Sequence, residues 1–146
     1  MKLFLFPILS FFVLSSAFAK ELTCRITHYQ AENESYIVLK DVKTIKLVEQ
    51  VGPTALEEYS LCRTEKEKHI AIYAVNARTK ALTQINDCEN NLGATDLKKF
   101  PLFMTTSNDH DAPEKTLTLV KASSGHYVGS LIVKSDSMEI ATLKCK

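Results

Sequence analysis

The feature that most restricts this chain is the alternation of side-chain type along its last third. "KTLTLVKA" (115–122), "HYVGSLIVKS" (126–135) and "SMEIATLKC" (137–145) follow one another across short polar turns. Apolar residues recur in them at every second position, the period of a strand with one face on a core and one on solvent. Strands joined by turns this short pair antiparallel. Six earlier stretches carry the same signal: "LTCRITHY" (22–29), "SYIVLKD" (35–41), "KTIKLVEQV" (43–51), "EEYSLCRT" (57–64), "HIAIYAVNA" (69–77) and "KALTQINDC" (80–88). Helical signals are few. Thr54 and Glu57 stand at capping-box spacing in "TALEEYSLC", and "TDLKKF" (95–100) has room for one turn before Pro101. The expected fold is all-β, a small antiparallel β-barrel or β-sandwich of about eight to nine strands. A meander favours the barrel, because closure removes exposed edges.

The first residues read as a discarded leader. Lys2 precedes an apolar run from Leu3 to Leu14, and Ala17-Phe18-Ala19 has the small-residue pattern of a cleavage site. The run is short of the roughly 20 residues that span a bilayer. Residues 1–19 are therefore expected to be a signal peptide, and 20–146 a single β domain that is periplasmic or secreted. Cys24 lies too far past the small residues to carry a lipid anchor. Without Lys2 the chain keeps 17 of its 18 basic side chains against 17 acidic ones, a net charge of zero. It contains no basic block long enough for a nucleic-acid stripe or a polybasic membrane patch. Neither nucleic-acid binding nor stable membrane insertion of the mature chain is expected.

Export makes disulfides the default role of Cys24, Cys62, Cys88 and Cys145. Their spacings match no zinc pattern, and the chain has no C-x-x-C redox pair. Three pairings of two disulfides are possible. Cys24–Cys145 with Cys62–Cys88 is favoured, because the outer bridge ties the first strand to the last. Cys24–Cys62 with Cys88–Cys145 stays open.

Residues 89–114, "ENNLGATDLKKFPLFMTTSNDHDAPE", lack strand periodicity and read as one long loop. A connection of that length in a compact domain is usually functional or mobile. It holds Phe100 and Phe103, the only phenylalanines left after the leader. Two roles are open for "FPLFM": capping one end of the core, or forming an apolar binding loop. The binding reading places Phe100, Phe103 and Met104 at the contact, within the segment 96–112.

No constellation argues for catalysis. Asp109-His110-Asp111 are adjacent, so their side chains diverge on an extended chain and read as a solvated loop. His28, His69 and His126 fall on separate predicted elements. The nucleophile elbow and the Gly-rich phosphate loop are both missing. Glu57 and Glu58 point to opposite faces and make no acid–base pair. The expectation is a non-enzyme with no cofactor and no metal. Its function would be to bind an unknown protein or small ligand, and a small apolar-ligand carrier is one alternative. Asn33-Glu34-Ser35 is a glycosylation sequon that matters only in a host that glycosylates.

The C-terminal stretch "ASSGHYVGSLIVKSDSMEIATLKCK" loosely resembles the end of the periplasmic C-type lysozyme inhibitors. Those are small exported β-barrels with a Ser-Gly-x-x-Tyr segment, then a lysine, then a late cysteine. The matching residues are Ser124, Gly125, Tyr127, Lys134 and Cys145. The resemblance implies an enzyme inhibitor whose serine and lysine project into a lysozyme cleft, the cation meeting carboxylates there. It covers about 25 residues. Ser124-Gly125-His126-Tyr127 is one residue short of the family spacing. The tryptophan before the lysine is missing, and no glycine follows Lys134.

Overall fold

The computed structural model describes residues 20–33, 38–51, 68–86, 91–106 and 113–146. Nine strands run through them: β1 (Glu21–Ala31), β2 (Thr44–Val51), β3 (Lys68–Val75), β4 (Leu82–Gln84), β5 (Asn91–Gly93), β6 (Leu102–Thr106), β7 (Glu114–Lys121), β8 (Tyr127–Lys134) and β9 (Met138–Cys145). All pair antiparallel in one sheet, ordered β4-β3-β2-β1-β9-β8-β7-β6-β5, and no helix occurs among the described residues. The sheet curls into a half-barrel. A single sheet replaces the sandwich alternative.

The order explains the curl. Apart from β4 and β5, every strand pairs with its neighbours in sequence, and β1 pairs with β9, so the meander is that of a circle with one gap. Its ladder is interrupted between β4 and β5. Those two are the outer edges of the sheet, yet only residues 85–90 connect them. Seven Cα steps reach at most about 25 Å. The edges of a flat nine-stranded sheet would stand about 38 Å apart. The connection can be made only if the sheet bends round.

The concave face holds the core. Alternate residues of seven strands supply it: Leu22 and Cys24, Ile45 and Leu47, Ile70 and Ile72, Leu102 and Met104, Leu117 and Leu119, Leu131 and Val133, Ala141 and Leu143. Leu39 and Leu97 join them from connecting segments. At Gly129 on β8 a Cβ would stand 1.8 Å from the Thr118 carbonyl oxygen of β7. Only glycine fits there.

Two devices hold the junction of β1 and β9. At one end the Cys24–Cys145 disulfide joins residues that face each other in the ladder, with a Cα–Cα distance of 3.9 Å. At the other, the buried carboxylate of Glu139 accepts three hydrogen bonds. Tyr29 Oη and the Leu39 amide donate to Oε1 at 2.9 and 2.8 Å, and the Val38 amide donates to Oε2 at 2.8 Å. The other expected pair, Cys62 and Cys88, lies outside the described residues, so one disulfide is seen rather than two.

Three sequence expectations need correction. "SYIVLKD" is not a strand where it is described: 38–41 is bend and turn, with Val42 N donating to Leu39 O and Asp41 at φ 65°. Its apolar residues serve the core as a plug, held by Glu139. "TDLKKF" forms a turn, in which Lys98 N donates to the Asp96 carboxylate and Lys99 N to its carbonyl. The segment 89–114 is not one long loop, since β5 and β6 lie inside it.

Candidate functional site

The residues proposed for binding separate by strand parity. Met104 points inward and is 1% exposed, packed with Leu102, Leu117 and Leu119. Phe103, its neighbour on β6, points outward and is 54% exposed. Phe100 stacks on Tyr127 with ring centroids 4.1 Å apart and packs against the core. So the structure does not bring the three together. Met104 is core, Phe100 closes one end of the core, and Phe103 alone meets solvent.

Phe103 belongs to a surface that the linear sequence does not display. Register places it beside Thr118, then Ser130, then Thr142, across β6, β7, β8 and β9. A parallel row runs Leu92, Thr105, Thr116, Ile132, Ile140 from β5 to β9. Neither row contains a charge. A third row, nearer the disulfide, begins with the exposed pair Val120 and Val128 and continues to Lys144 and Arg25. Leu92 is 57% exposed and the Thr105 and Thr116 hydroxyls are 3.3 Å apart. The outward side of β5–β9 thus carries an uncharged band of threonine and aliphatic side chains with one aromatic ring standing on it, bordered by Lys144 at one margin and by the facing Glu114 and Lys134 at the other. Isolated exposed apolar residues are ordinary, but a contiguous set marks a contact surface. The signal was present as L-F-M-T at 102–105, yet three apolar residues in a row hide which ones face out.

The residues matched to the inhibitor family do not converge. Ser124 sits at the tip of the β7–β8 hairpin, where Ala122 N donates to His126 O and Gly125 N to Ala122 O. Gly125 takes φ 79° there, the left-handed residue of a three-residue hairpin loop. Lys134 is at the opposite end of β8. An extended strand of that length separates them by about 24 Å.

The histidines stay apart: His28 is exposed on β1, His69 is buried on β3, and His126 is in the hairpin. Among the described residues no three His, Cys, Asp or Glu side chains group to hold a metal ion. Asp109-His110-Asp111 lie outside the described residues. Three carboxylates are tied to backbone amides: Glu139, Asp96 and Glu49, whose Oε1 accepts from Leu97 N at 2.7 Å. Glu139 is engaged by three donors, as above. Asp96 is held below the usual carboxylate range, first by the Lys98 amide it accepts from, then by a hydrogen bond with Glu49 and the charges of Lys20 and Lys99. Tyr29 is pushed up to about 12 by burial and by its hydrogen bond to the Glu139 carboxylate. These are structural perturbations at a joint rather than groups converging on an open cleft.

Comparison with protein-family models, with curated proteins and with solved structures finds no match for this chain.

Proposed function

We propose that the chain is an exported, disulfide-bonded, non-catalytic binding module that meets its partner with the outward face of β5–β9. The observation that carries this reading is the pair of uncharged outward rows around the exposed Phe103 ring. A rigid curled sheet fixes the spacing of those side chains, so they meet a partner without an ordering cost. An exposed aromatic residue within such a field is the usual anchor of an interface. The concave side is filled by the side chains of the core, which favours an outer contact over the apolar-carrier alternative. A bridge joining the first and last strands suits an oxidising compartment, in keeping with the leader-like start of the sequence.

The test uses Phe103→Thr with Leu92→Thr. Threonine keeps the strand preference while removing the apolar projections. The oxidised protein is exposed to soluble and membrane fractions of the source cell separately, and retained material is compared with the double variant. Retention that disappears in the variant, with an unchanged circular dichroism spectrum, supports the reading. Equal retention overturns it.

A further inference from the structure

The disulfide end of the sheet gathers positive charge that is scattered through the sequence. Arg25 and Lys144 are direct partners across β1 and β9, both exposed and both on the outward face. Lys146 follows, its backbone bonded to Thr23 in both directions at 3.0 and 3.2 Å. Lys121 ends β7 opposite Tyr127. Lys98 and Lys99 lie on the segment that delivers Phe100 to its stack on Tyr127. Among the described residues none of these six is in an ion pair. The acids of this end are engaged elsewhere: Glu49 and Asp96 by Lys20 at 3.3 and 3.7 Å, and Glu21 by Lys46 at 2.7 Å.

Like charges placed directly opposite on a sheet oppose folding. A choice that works against local stability, with no compensating acid, is the kind found at functional surfaces. Its neighbours are informative as well. In the same outward row, Lys144 is flanked by Val128 and then Val120, both exposed.

We propose that this end of the half-barrel, Arg25, Lys144 and Lys146 with the adjoining Val120 and Val128, docks on an anionic phospholipid bilayer surface. The inference rests on the reading of the outward β5–β9 face as a binding surface and names what that surface meets. Five of the six cations are lysines, compact point charges on flexible stems without the planar fork that recognises a fixed carboxylate. The aromatic rings of this end, Phe100 and Tyr127, are stacked on each other rather than presented as anchors for a protein. Diffuse lysine charge beside small aliphatic side chains fits a layer of anionic headgroups. Docking of this kind needs only the charged rim and the two exposed valines at the headgroup layer.

The experiment is flotation of the purified, oxidised protein with phosphatidylglycerol vesicles and with phosphatidylcholine vesicles. Binding to the first and not the second is expected, weakening at least tenfold from low to high salt. Arg25→Gln with Lys144→Gln and Lys146→Gln should weaken it about a hundredfold, roughly fivefold for each charge. Arg25→Lys should bind as the native chain does. The triple variant removes repulsion and should fold. If it did not, Lys98→Gln with Lys99→Gln gives the same reading at about a thirtyfold loss. Failure to bind phosphatidylglycerol, equal binding to both vesicles, or an unaffected Gln variant overturns the proposal. So does capture of an acidic soluble protein without vesicle binding. In that last case Phe103-dependent capture would leave the binding-module reading standing while the lipid surface falls.

Discussion

β3 and β7 are strands of equal length that treat their outward faces in opposite ways. In β3 the inward Ile70, Ile72 and Ala74 are buried, and so are the outward His69, Ala71 and Tyr73. In β7 the inward Leu117 and Leu119 are buried, while Thr116 and Thr118 are half-buried and Val120 is exposed. Their compositions report the difference. "HIAIYAV" is nearly unbroken apolar sequence, as a strand covered on both sides must be. "KTLTLV" alternates, as a strand with one wet face does. β3 has spent both faces on stability, although its neighbours β2 and β4 leave their outward residues half-buried or exposed. β7 keeps one face free, and that face continues into the rows that carry Phe103. A search for function therefore belongs on β5–β9.

The largest effect should come from the joint between the halves of the sheet. Removing the Cys24–Cys145 bridge releases a closure of 121 residues, which chain entropy values at about 5 kcal/mol. Denaturant unfolding with and without reductant measures it. A loss far below that would mean the β1–β9 ladder holds the halves together without the bridge. The two outward faces can then be compared directly. Ala71→Glu puts an unpaired charge at a fully buried outward position of β3 and should cost about 4 kcal/mol. Thr118→Glu makes the same chemical change on β7 and should stay within about 0.5 kcal/mol. Similar losses at both sites would break the distinction between a covered strand and one with a bare face.

Glu139 guards the other end of the joint. Glu139→Gln removes the negative charge and one of the two accepting oxygens shared by Tyr29 Oη, Val38 N and Leu39 N. The expected loss is about 2 kcal/mol, with faster amide exchange at Val38 and Leu39 as the local reporter. The tyrosine gives a second one. Its hydroxyl, raised to about 12 in the folded chain, ionises near 10 when unfolded. The folded state therefore binds the proton more tightly. Tyr29 contributes stability that is complete below pH 10 and declines as the pH rises toward 12. In Glu139→Gln the phenolate absorbance should appear at lower pH, and this alkaline decline should shrink.

Much of this architecture is legible without coordinates. The alternation in "KTLTLVKA", "HYVGSLIVKS" and "SMEIATLKC" reads directly as β7, β8 and β9, and the pairing of Cys24 with Cys145 follows from tying first strand to last. What was hidden has physical reasons. β6 escaped because Leu102, Phe103 and Met104 are all apolar, so a real period of two shows no contrast. "SYIVLKD" misled because Val38 and Leu39 reach the core from a turn, through a carboxylate 100 residues away in sequence that no local pattern reveals. The cationic end escaped because Arg25 and Lys144 become neighbours only through register. A charge-run search sees a neutral chain where the fold builds a basic rim.

The smallest expected change in stability falls on the residue most concerned with function. Phe103 is 54% exposed, whereas Met104, one position on, is 1% exposed. Phe103→Thr removes surface that is mostly in water already and retains a side chain suited to a strand. Its effect on unfolding should be below about 0.5 kcal/mol. Met104→Ala empties part of the core and should cost about 2–4 kcal/mol. The two variants separate stability from contact on adjacent residues. If Phe103→Thr loses the partner at unchanged stability, the ring is kept outward for recognition. If it destabilises the chain as much as Met104→Ala does, the outward face of β6 is covered as that of β3 is, and the contrast between β3 and β7 does not extend to β6.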